Sequence, residues 1–396
     1  MLGALAGWML IQLIPLPPFV WHMLPGRESI AAMDAAIGLE DTWRPISLSP
    51  FRGWNALASL IIPMLGLVLA VALRIPSGFL LMIIAGLGIA DAALGLLQVA
   101  AGPRSPLYFY ALTNTGSPVG LFANENHSAV FSACSLVVLA QLGASQLRAK
   151  GNSAAPALIA AAYLLVLLAA LGSGSRAGAL TTLLALAGSA ALVWLSISKK
   201  TQDKRKVAKA LPFEPSPKLL AIAAIGTLAA LVGAFFALQG APGLSDAVAR
   251  DTFEDLRFAI LPTLIAMIET YWLFGAGFGS FEEVYHIFEP ADLLLPSYVN
   301  QAHNDWAQVI IEGGVPVIAI IAALVVWIFR QMQGLAGNGI SSFAARLAWL
   351  SLFMIIAIAS VVDYPLRAPL FQLVAIWLLV ALAFEPRAAS DHATGS

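Results

Sequence analysis

Apolar residues dominate the chain in runs of about 20 residues, which shorter polar connections separate. A run of this length is what an α-helix needs to cross the hydrocarbon core of a bilayer. The pattern predicts ten spans, at 4–23, 55–73, 77–100, 127–147, 155–172, 177–197, 218–238, 314–330, 346–362 and 368–384. Three prolines, Pro15, Pro17 and Pro18, are expected to end or bend the first span, because proline lacks the N–H that a helix interior needs.

The composition agrees with this interpretation. Of the 396 residues, 60% are hydrophobic and 11% are charged, whereas soluble domains carry about 25% charged residues. Such proportions exclude an ordinary soluble enzyme, a disordered chain and a disulfide-stapled secreted module. The predicted fold class is an all-α polytopic transmembrane helix bundle. It forms a single integral membrane domain over residues 1–396, which ends in a polar tail at 386–396.

The lysines predict the orientation of the chain. All seven lie in connections that the ten-span arrangement places on one side, including the dense run Lys199–Lys206. By the positive-inside rule this side is the cytoplasm. The opposite, outward side holds no lysine, but it holds the longest connection, 239–313. Charged and apolar residues alternate there at helical spacing, so short helices are expected within a large outward loop.

Two outward arginines are candidates for ligand binding. Arg176 lies in the glycine- and serine-rich turn 172–178 between two predicted spans, and no acidic residue lies within 20 positions of it. Arg257 lies in the large outward loop beside Glu254 and Asp255. The planar guanidinium binds phosphate or carboxylate groups bidentately. The alternative is that each arginine anchors the chain at the membrane surface or pairs with an acidic neighbour.

His303 is the third candidate. Helical spacing places four polar residues on one stripe and leaves His303 off it. The stripe comprises Gln301, Asp305, Gln308 and Glu312. We therefore expect His303 just before the helix or in its first turn, with Asn304 as a capping residue. Imidazole suits proton transfer from a sugar hydroxyl, although a hydrogen-bonded structural histidine is the alternative.

Other motifs indicate less chemistry. The histidines are scattered and no HExxH occurs, so no metal site is expected. The glycines of 275–279 lack the strand–helix unit of a dinucleotide site, and we interpret them as a tight turn. Asp91 and Gln98 lie in the third predicted span and should face protein rather than lipid.

Three segments resemble the O-antigen ligase and polymerase superfamily of bacterial envelope proteins. They are Ser175-Arg176-Ala-Gly, then Arg257 with Trp272–Phe281, and finally Ala302–Gly314. The resemblance implies an inverting, metal-independent glycosyltransferase of the GT-C type that uses no cofactor. It would act at the periplasmic face of the bacterial inner membrane, so that the outward loop 239–313 is periplasmic.

The resemblance also implies substrates and roles. A glycan would pass from an undecaprenyl diphosphate carrier in the lipid bilayer to a hydroxyl of another glycan, of a lipid A core or of a protein. Nucleic acid is not an expected partner. Arg176 and Arg257 would hold the donor diphosphate and His303 would activate the acceptor, while Asn304 and Asp305 would contact the substrate. We expect Arg176, Arg257 and His303 to converge on one outward-facing pocket.

Two other classes stay open. A secondary transporter or lipid-carrier flippase for envelope glycans would place charged residues deep in several spans. Asp91 is the one charge that clearly lies inside a predicted span. A non-catalytic scaffold would leave the lysine-free arginines of the outward side unexplained.

Overall fold

A computed structural model describes residues 1–148, 154–205, 259–294, 299–335 and 340–385. These residues are mostly helical, which confirms the all-α class. In chain order the α-helices are Leu2–Ile11, Pro18–Trp21, Glu28–Ala36, Pro50–Ser59, Ile61–Ala72, Ser77–Ala101, Glu125–Arg148, Ala155–Gly172, Arg176–Arg205, Leu261–Tyr271, Phe281–Phe288, Asp305–Gln333, Ile340–Val362 and Pro369–Ala383. Two 3₁₀ turns cover Ala291–Leu293 and Pro365–Arg367.

Seven helical segments in the described residues are long and apolar enough to cross a membrane. They are Pro50–Ala72, Ser77–Ala101, Glu125–Gln146, Ala155–Gly172, Arg176–Ile197, Asp305–Gln333 and Ser342–Val362, and each coincides with a predicted span. The last predicted span corresponds to the shorter apolar helix Pro369–Ala383. The predicted span 218–238 lies outside the described residues.

The predicted span 4–23 is wrong as a single helix. The helix Leu2–Ile11 is ten residues long, and Pro15–Leu16 then pairs antiparallel with Arg44–Pro45. One further turn of helix follows at Pro18–Trp21. The proline cluster breaks the helix, as expected, because proline removes the backbone donor that the next turn would use.

The chain divides into two compact units. The first comprises Met1–Leu69, Ala247–Phe329 and Ser360–Leu373, and the second comprises Ala70–Asp246, Arg330–Ala359 and Val374–Ser396. The single domain over 1–396 therefore stays a prediction. In the outward loop 239–313, the expected short helices are Leu261–Tyr271 and Phe281–Phe288. The polar tail 386–396 lies outside the described residues.

Helices of the second unit approach closely where small residues face each other. A side chain on Gly178 would overlap Ala129, and one on Gly88 would overlap Ser135. Small residues at such crossings let helix backbones pack at short range inside a membrane. Among the seven described helical segments that could cross a membrane, Glu125–Gln146 is the most enclosed, with 78% of its apolar stretch buried.

The connection before that helix turns back into the second unit. Ser117–Leu121, here called the return segment, lies against the helix Ser77–Ala101. Gln98 Oε1 accepts a hydrogen bond from Gly120 N at 2.8 Å, and Asp91 Oδ1 accepts one from Leu121 N at 2.6 Å. Both side chains are fully buried, so the expectation that they face protein is confirmed. They satisfy irregular backbone that a membrane interior could not hydrate.

Candidate functional site

The candidate site in the first unit begins with a break in the helix Asp305–Gln333. Gly314 has φ of +64° there, and Pro316 has no N–H to offer the carbonyl four residues earlier. The carbonyls of Ile311 and Glu312 instead accept hydrogen bonds from Ala276 N at 2.8 Å and Gly277 N at 3.0 Å. A separate loop thus provides the N–H donors for the carbonyls that the broken helix leaves without a partner in the helix.

That loop, Gly275–Ser280, is called the glycine loop. Gly275, Gly277 and Gly279 all have positive φ, between +78° and +98°. A side chain on Gly275 would overlap the carbonyl oxygen of Glu312, and one on Gly277 would overlap the backbone of Ser47. The interpretation of these glycines as a tight turn is confirmed. Glycine is needed here for both its conformation and its close approach.

The N-terminal part of the first unit supports the same break. Gln12 Nε2 donates to the carbonyl of Glu312 at 2.9 Å, and Arg27 Nη2 donates to those of Ile46 at 2.6 Å and Gly275 at 3.3 Å. Arg27 also lies over the Tyr271 ring at 5.3 Å. Burial lowers the pKa of Arg27 to about 10, although nearby Tyr271 opposes the shift.

The side chain of Glu312 is a buried carboxylate that accepts hydrogen bonds from the glycine loop, from the residue after the loop and from an arginine. Its Oε1 accepts hydrogen bonds from Gly279 N at 3.2 Å and Phe281 N at 3.3 Å. Its Oε2 accepts one from Arg367 Nη2 at 2.9 Å, and the carboxylate is fully buried. A buried carboxylate needs this combination of donors and a cationic partner.

Arg367 connects Glu312 with a second carboxylate. It lies in the turn Pro365–Arg367, and its Nε is 3.6 Å from Asp305 Oδ1. Asp305 Oδ2 accepts hydrogen bonds from Ser360 Oγ at 3.2 Å and Leu366 N at 3.3 Å. The turn is therefore fixed to the start of the broken helix by side-chain and backbone contacts.

His303 lies directly before that helix, as expected. Asn304 caps the helix through its Oδ1, which accepts a hydrogen bond from Ala307 N at 3.0 Å, so this expectation is confirmed too. His303 has φ of +48°, an uncommon value for a residue with a side chain and one that is often found at functional sites. Its Nδ1 is 3.8 Å from Asp363 Oδ1, and its ring meets the Tyr364 ring edge-on at 5.1 Å.

These charged residues form one set, which we call the histidine cluster: His303, Asp305, Glu312, Asp363 and Arg367. It contains three carboxyl groups against one guanidinium and one imidazole. With the carboxyls ionised the cluster carries a net negative charge, even when the imidazole is protonated. Among the charges that the structure describes, this set suits a neutral hydroxyl beside His303 better than a diphosphate.

Arg176 lies in the second unit, where it begins the helix Arg176–Arg205 and is exposed. Ser175 precedes it, and its Oγ accepts a hydrogen bond from Gly178 N at 2.8 Å. The start of a helix presents backbone N–H groups and the positive end of the helix dipole. A guanidinium in this position suits an anionic ligand.

The match to a known family comes from the middle of the chain. Residues 161–322 match the family model Wzy_C, described as O-antigen ligase. The match covers about two fifths of the chain and supports the resemblance to the O-antigen ligase superfamily. Neither the curated proteins nor the solved structures contain a match to the chain.

The matched family implies a membrane glycosyltransferase of the ligase or polymerase type. The matched residues 161–322, here called the ligase segment, contain Arg176, Arg257, His303 and Glu312 and end before Asp363. Arg257 lies outside the described residues, and Arg176 and His303 belong to different units. The convergence of the three residues on one pocket, and substrate contacts by Asn304 and Asp305, therefore stay predictions.

The sequence reasoning missed Asp363 and Arg367, which lie outside the ligase segment. The signal that marks them is their place in a short polar connection between two apolar helices, Ile340–Val362 and Pro369–Ala383. Within the described residues no group of three or more His, Cys, Asp or Glu side chains is arranged to hold a metal ion. Metal independence stays a prediction.

The second unit also contains a cavity of about 320 Å³ that holds none of the predicted site residues. Alanines and a leucine form most of its wall, with Gln141, Ser145 and Glu385 as its polar members. Burial raises the pKa of the Glu385 carboxyl, which accepts a hydrogen bond from Ser77 Oγ at 2.7 Å. The described residues of its wall include no Lys or Arg that would bind a diphosphate, so we do not assign it to the ligase site.

Proposed function

We propose that this protein transfers a glycan from undecaprenyl diphosphate to an acceptor hydroxyl at the periplasmic face of the bacterial inner membrane. The observation that carries this proposal is the placement of His303 within the ligase segment. Its ring stands outside the helix in a left-handed backbone conformation, is 28% exposed, and faces a buried carboxylate. A general base needs this combination of access and fixed orientation.

In the proposed reaction the acceptor oxygen attacks the anomeric carbon of the donor sugar. The hydroxyl proton passes to His303 as the new C–O bond forms and the bond to the diphosphate oxygen breaks. Attack from the face opposite the leaving group inverts the anomeric centre. Arg176 and Arg257 bind the diphosphate, where their fixed positive charge stabilises the charge that develops on departure.

The residues proposed for the acceptor and those proposed for the donor differ in charge. The histidine cluster is acidic and suits the acceptor, whereas arginine at the start of a helix suits the diphosphate. Because guanidinium groups supply the positive charge at the leaving group, the proposed chemistry needs no metal ion. A glycan, a lipid A core and a protein hydroxyl all satisfy the acceptor requirement.

Transfer is tested with purified protein in nanodiscs, an undecaprenyl-diphosphate-linked glycan and each class of acceptor. His303→Ala should lower kcat by about 10²–10⁴-fold, the usual contribution of a general base. His286→Ala is the matched control, since His286 lies in the same unit and pairs with Glu289 at 3.2 Å. Full activity of His303→Ala would overturn the proposed role of His303.

The acceptor is identified by deleting the gene and analysing the surface glycans. Accumulation of unligated, lipid-linked polymer would indicate a ligase, and single repeat units would indicate a polymerase. Loss of modified protein alone would indicate a protein O-glycosylase. An unchanged glycan profile would contradict all three versions of the proposal.

The proposed periplasmic face is tested with reporter fusions after residue 205 and after residue 290. The two fusions should give opposite signals, because the lysine-rich connection belongs to the cytoplasm by the positive-inside rule. Identical signals would contradict the orientation.

The alternative of a transporter gains no support from Asp91, since its carboxylate accepts hydrogen bonds from Leu121 N and Ser128 Oγ.

A further inference from the structure

We propose that Asp363 is a positioning residue for His303, orienting the imidazole and stabilising its protonated form. This inference rests on the proposed function, because it assumes that His303 is the general base. Asp363 lies outside the segment that matches the ligase family, so its role comes from the structure alone.

The geometry directs one ring nitrogen of His303 toward Asp363. The distance from His303 Nδ1 to Asp363 Oδ1 is 3.8 Å, which is within ion-pair range but longer than a hydrogen bond. Catalytic hydrogen bonds are often long before substrate binds and shorten in the reacting complex. The Asp363 side chain is fully buried, whereas His303 is partly exposed, so the pair has an inner and an outer member.

Asp363 is itself held in place from two directions. Its Oδ1 accepts a hydrogen bond from Tyr364 N at 2.9 Å, and its backbone carbonyl accepts one from Asp305 N at 3.3 Å. The second bond ties Asp363 to the first residue of the broken helix, two positions after His303. The Tyr364 ring packs edge-on against the imidazole and limits its rotation.

The other charged members of the cluster are engaged elsewhere. The guanidinium of Arg367 donates to Glu312 at 2.9 Å and lies 3.6 Å from Asp305. A protonated His303 would place a cation 3.8 Å from the Asp363 carboxylate. Stabilising that cation favours proton transfer from the acceptor, because the imidazolium forms as the new glycosidic bond forms.

This arrangement fixes the path of the proton. With Nδ1–H directed at Asp363, the lone pair of Nε2 is left to accept the hydroxyl proton. The proton stays on Nε2 while the diphosphate leaves, and Asp363 stays ionised throughout. Asp363 does not touch the substrate in this scheme, so it acts through His303 alone.

The inference is tested by a double-mutant cycle with Asp363→Asn, His303→Ala and the double variant, in the nanodisc transfer assay. Asparagine keeps an acceptor for Tyr364 N and removes the charge. Asp363→Asn should lower kcat about tenfold to a hundredfold, while KM for the acceptor changes less than about threefold. In the His303→Ala background the same substitution should have no further effect, because its target is already gone.

The matched control is Asp34→Asn, which removes another buried carboxylate of the first unit. Asp34 pairs with Arg44 at 2.5 Å, and this substitution should leave kcat unchanged. Multiplicative effects of Asp363→Asn and His303→Ala would show independent roles and overturn the inference. Wild-type activity of Asp363→Asn would also overturn it.

Two outcomes separate this inference from the proposed function. Full activity of His303→Ala refutes the general base itself, whereas loss with His303→Ala and full activity with Asp363→Asn refutes only the positioning role. If Asp363→Asn does not fold, Asp363→Glu keeps the charge and moves it by one methylene. It should then lower kcat in the wild-type background and not in His303→Ala, and any other result overturns the inference.

Discussion

Asp91 in the second unit and Glu312 in the first perform the same local task in different surroundings. Each is a fully buried carboxylate that accepts hydrogen bonds from the backbone of an irregular segment. Asp91 holds the return segment through Leu121 N, and Glu312 holds the glycine loop through Gly279 N and Phe281 N. In both cases a side-chain carboxylate replaces the backbone carbonyl that would accept these hydrogen bonds in a regular helix.

The two carboxylates differ in what lies beyond these hydrogen bonds. Asp91 is satisfied by Leu121 N and Ser128 Oγ, which are neutral donors. Glu312 pairs with Arg367, which leads to Asp305 and so to the helix start beside His303. In this protein the partners of Glu312 lead to a partly exposed imidazole, which indicates function, whereas those of Asp91 are neutral donors, which indicates structure.

Glu312→Ala gives the largest expected effect. It leaves Arg367 without its closest carboxylate and the N–H groups of Gly279 and Phe281 without this acceptor, so the free energy of unfolding should fall by about 3–5 kcal/mol. Transfer activity should fall as well, even at temperatures where the variant is folded. Thermal unfolding in detergent and the nanodisc assay measure the two effects. A stable variant with full activity would contradict the assigned role of Glu312.

Arg176→Lys is expected to have the next largest effect. Arg176 lies in the same unit as Asp91, so this variant tests whether that unit contains a functional charge besides the structural carboxylate of Asp91. Lysine keeps the charge but loses the planar fork that binds two phosphate oxygens. Transfer should fall about tenfold to a hundredfold with little change in unfolding temperature. Arg346→Lys is the control, since Arg346 donates to backbone carbonyls within the same unit. Equal loss in both variants would argue against a donor role.

Gly277→Ala tests the glycine loop at a smaller scale. The left-handed backbone and the overlap with Ser47 should together cost about 1–3 kcal/mol in the free energy of unfolding. Gly86→Ala is the matched control, because a side chain there meets no atom within 4 Å. Its helical position should make alanine neutral or slightly stabilising. Equal stability of the two variants would contradict the tight packing of the loop.

Asp91→Asn should have a smaller effect than these, and on stability alone. Asparagine keeps an acceptor for Leu121 N but brings donors that the site does not need, so about 1 kcal/mol should be lost. Transfer by the folded variant should match the wild type. A clear loss of kcat without loss of stability would break the comparison and give Asp91 a functional role.

Removal of divalent ions should have no measurable effect. The proposed reaction uses arginine rather than a metal to stabilise the leaving diphosphate. Transfer in excess EDTA should therefore equal transfer in buffer. Activity that is lost in EDTA and restored by a single divalent ion would contradict this prediction.

Several local features of the fold and the site were predictable from neighbouring residues alone. The place of His303 before a helix, the Asn304 cap and the glycine turn all depend on residues within one or two turns of each other. The prediction of a single span over 4–23 was wrong because it counted apolar length alone. Its apolar composition satisfied the length criterion, but the helix breaks at its prolines and Gln12 hydrogen-bonds to the carbonyls of Phe274 and Glu312.

The sequence by itself determined the class of the protein, because long apolar runs have few stable states outside a bilayer and the ligase motifs are local in the chain. Tertiary structure alone decided which charges meet. Arg367 reaches Glu312 across 55 positions, and Asp363 meets His303 across a similar interval. No local periodicity encodes such pairs, since they arise where the chain folds back on itself. The partners of His303 are therefore determined by the packing of the turn Pro365–Arg367 against the start of the helix Asp305–Gln333, which no local pattern predicts.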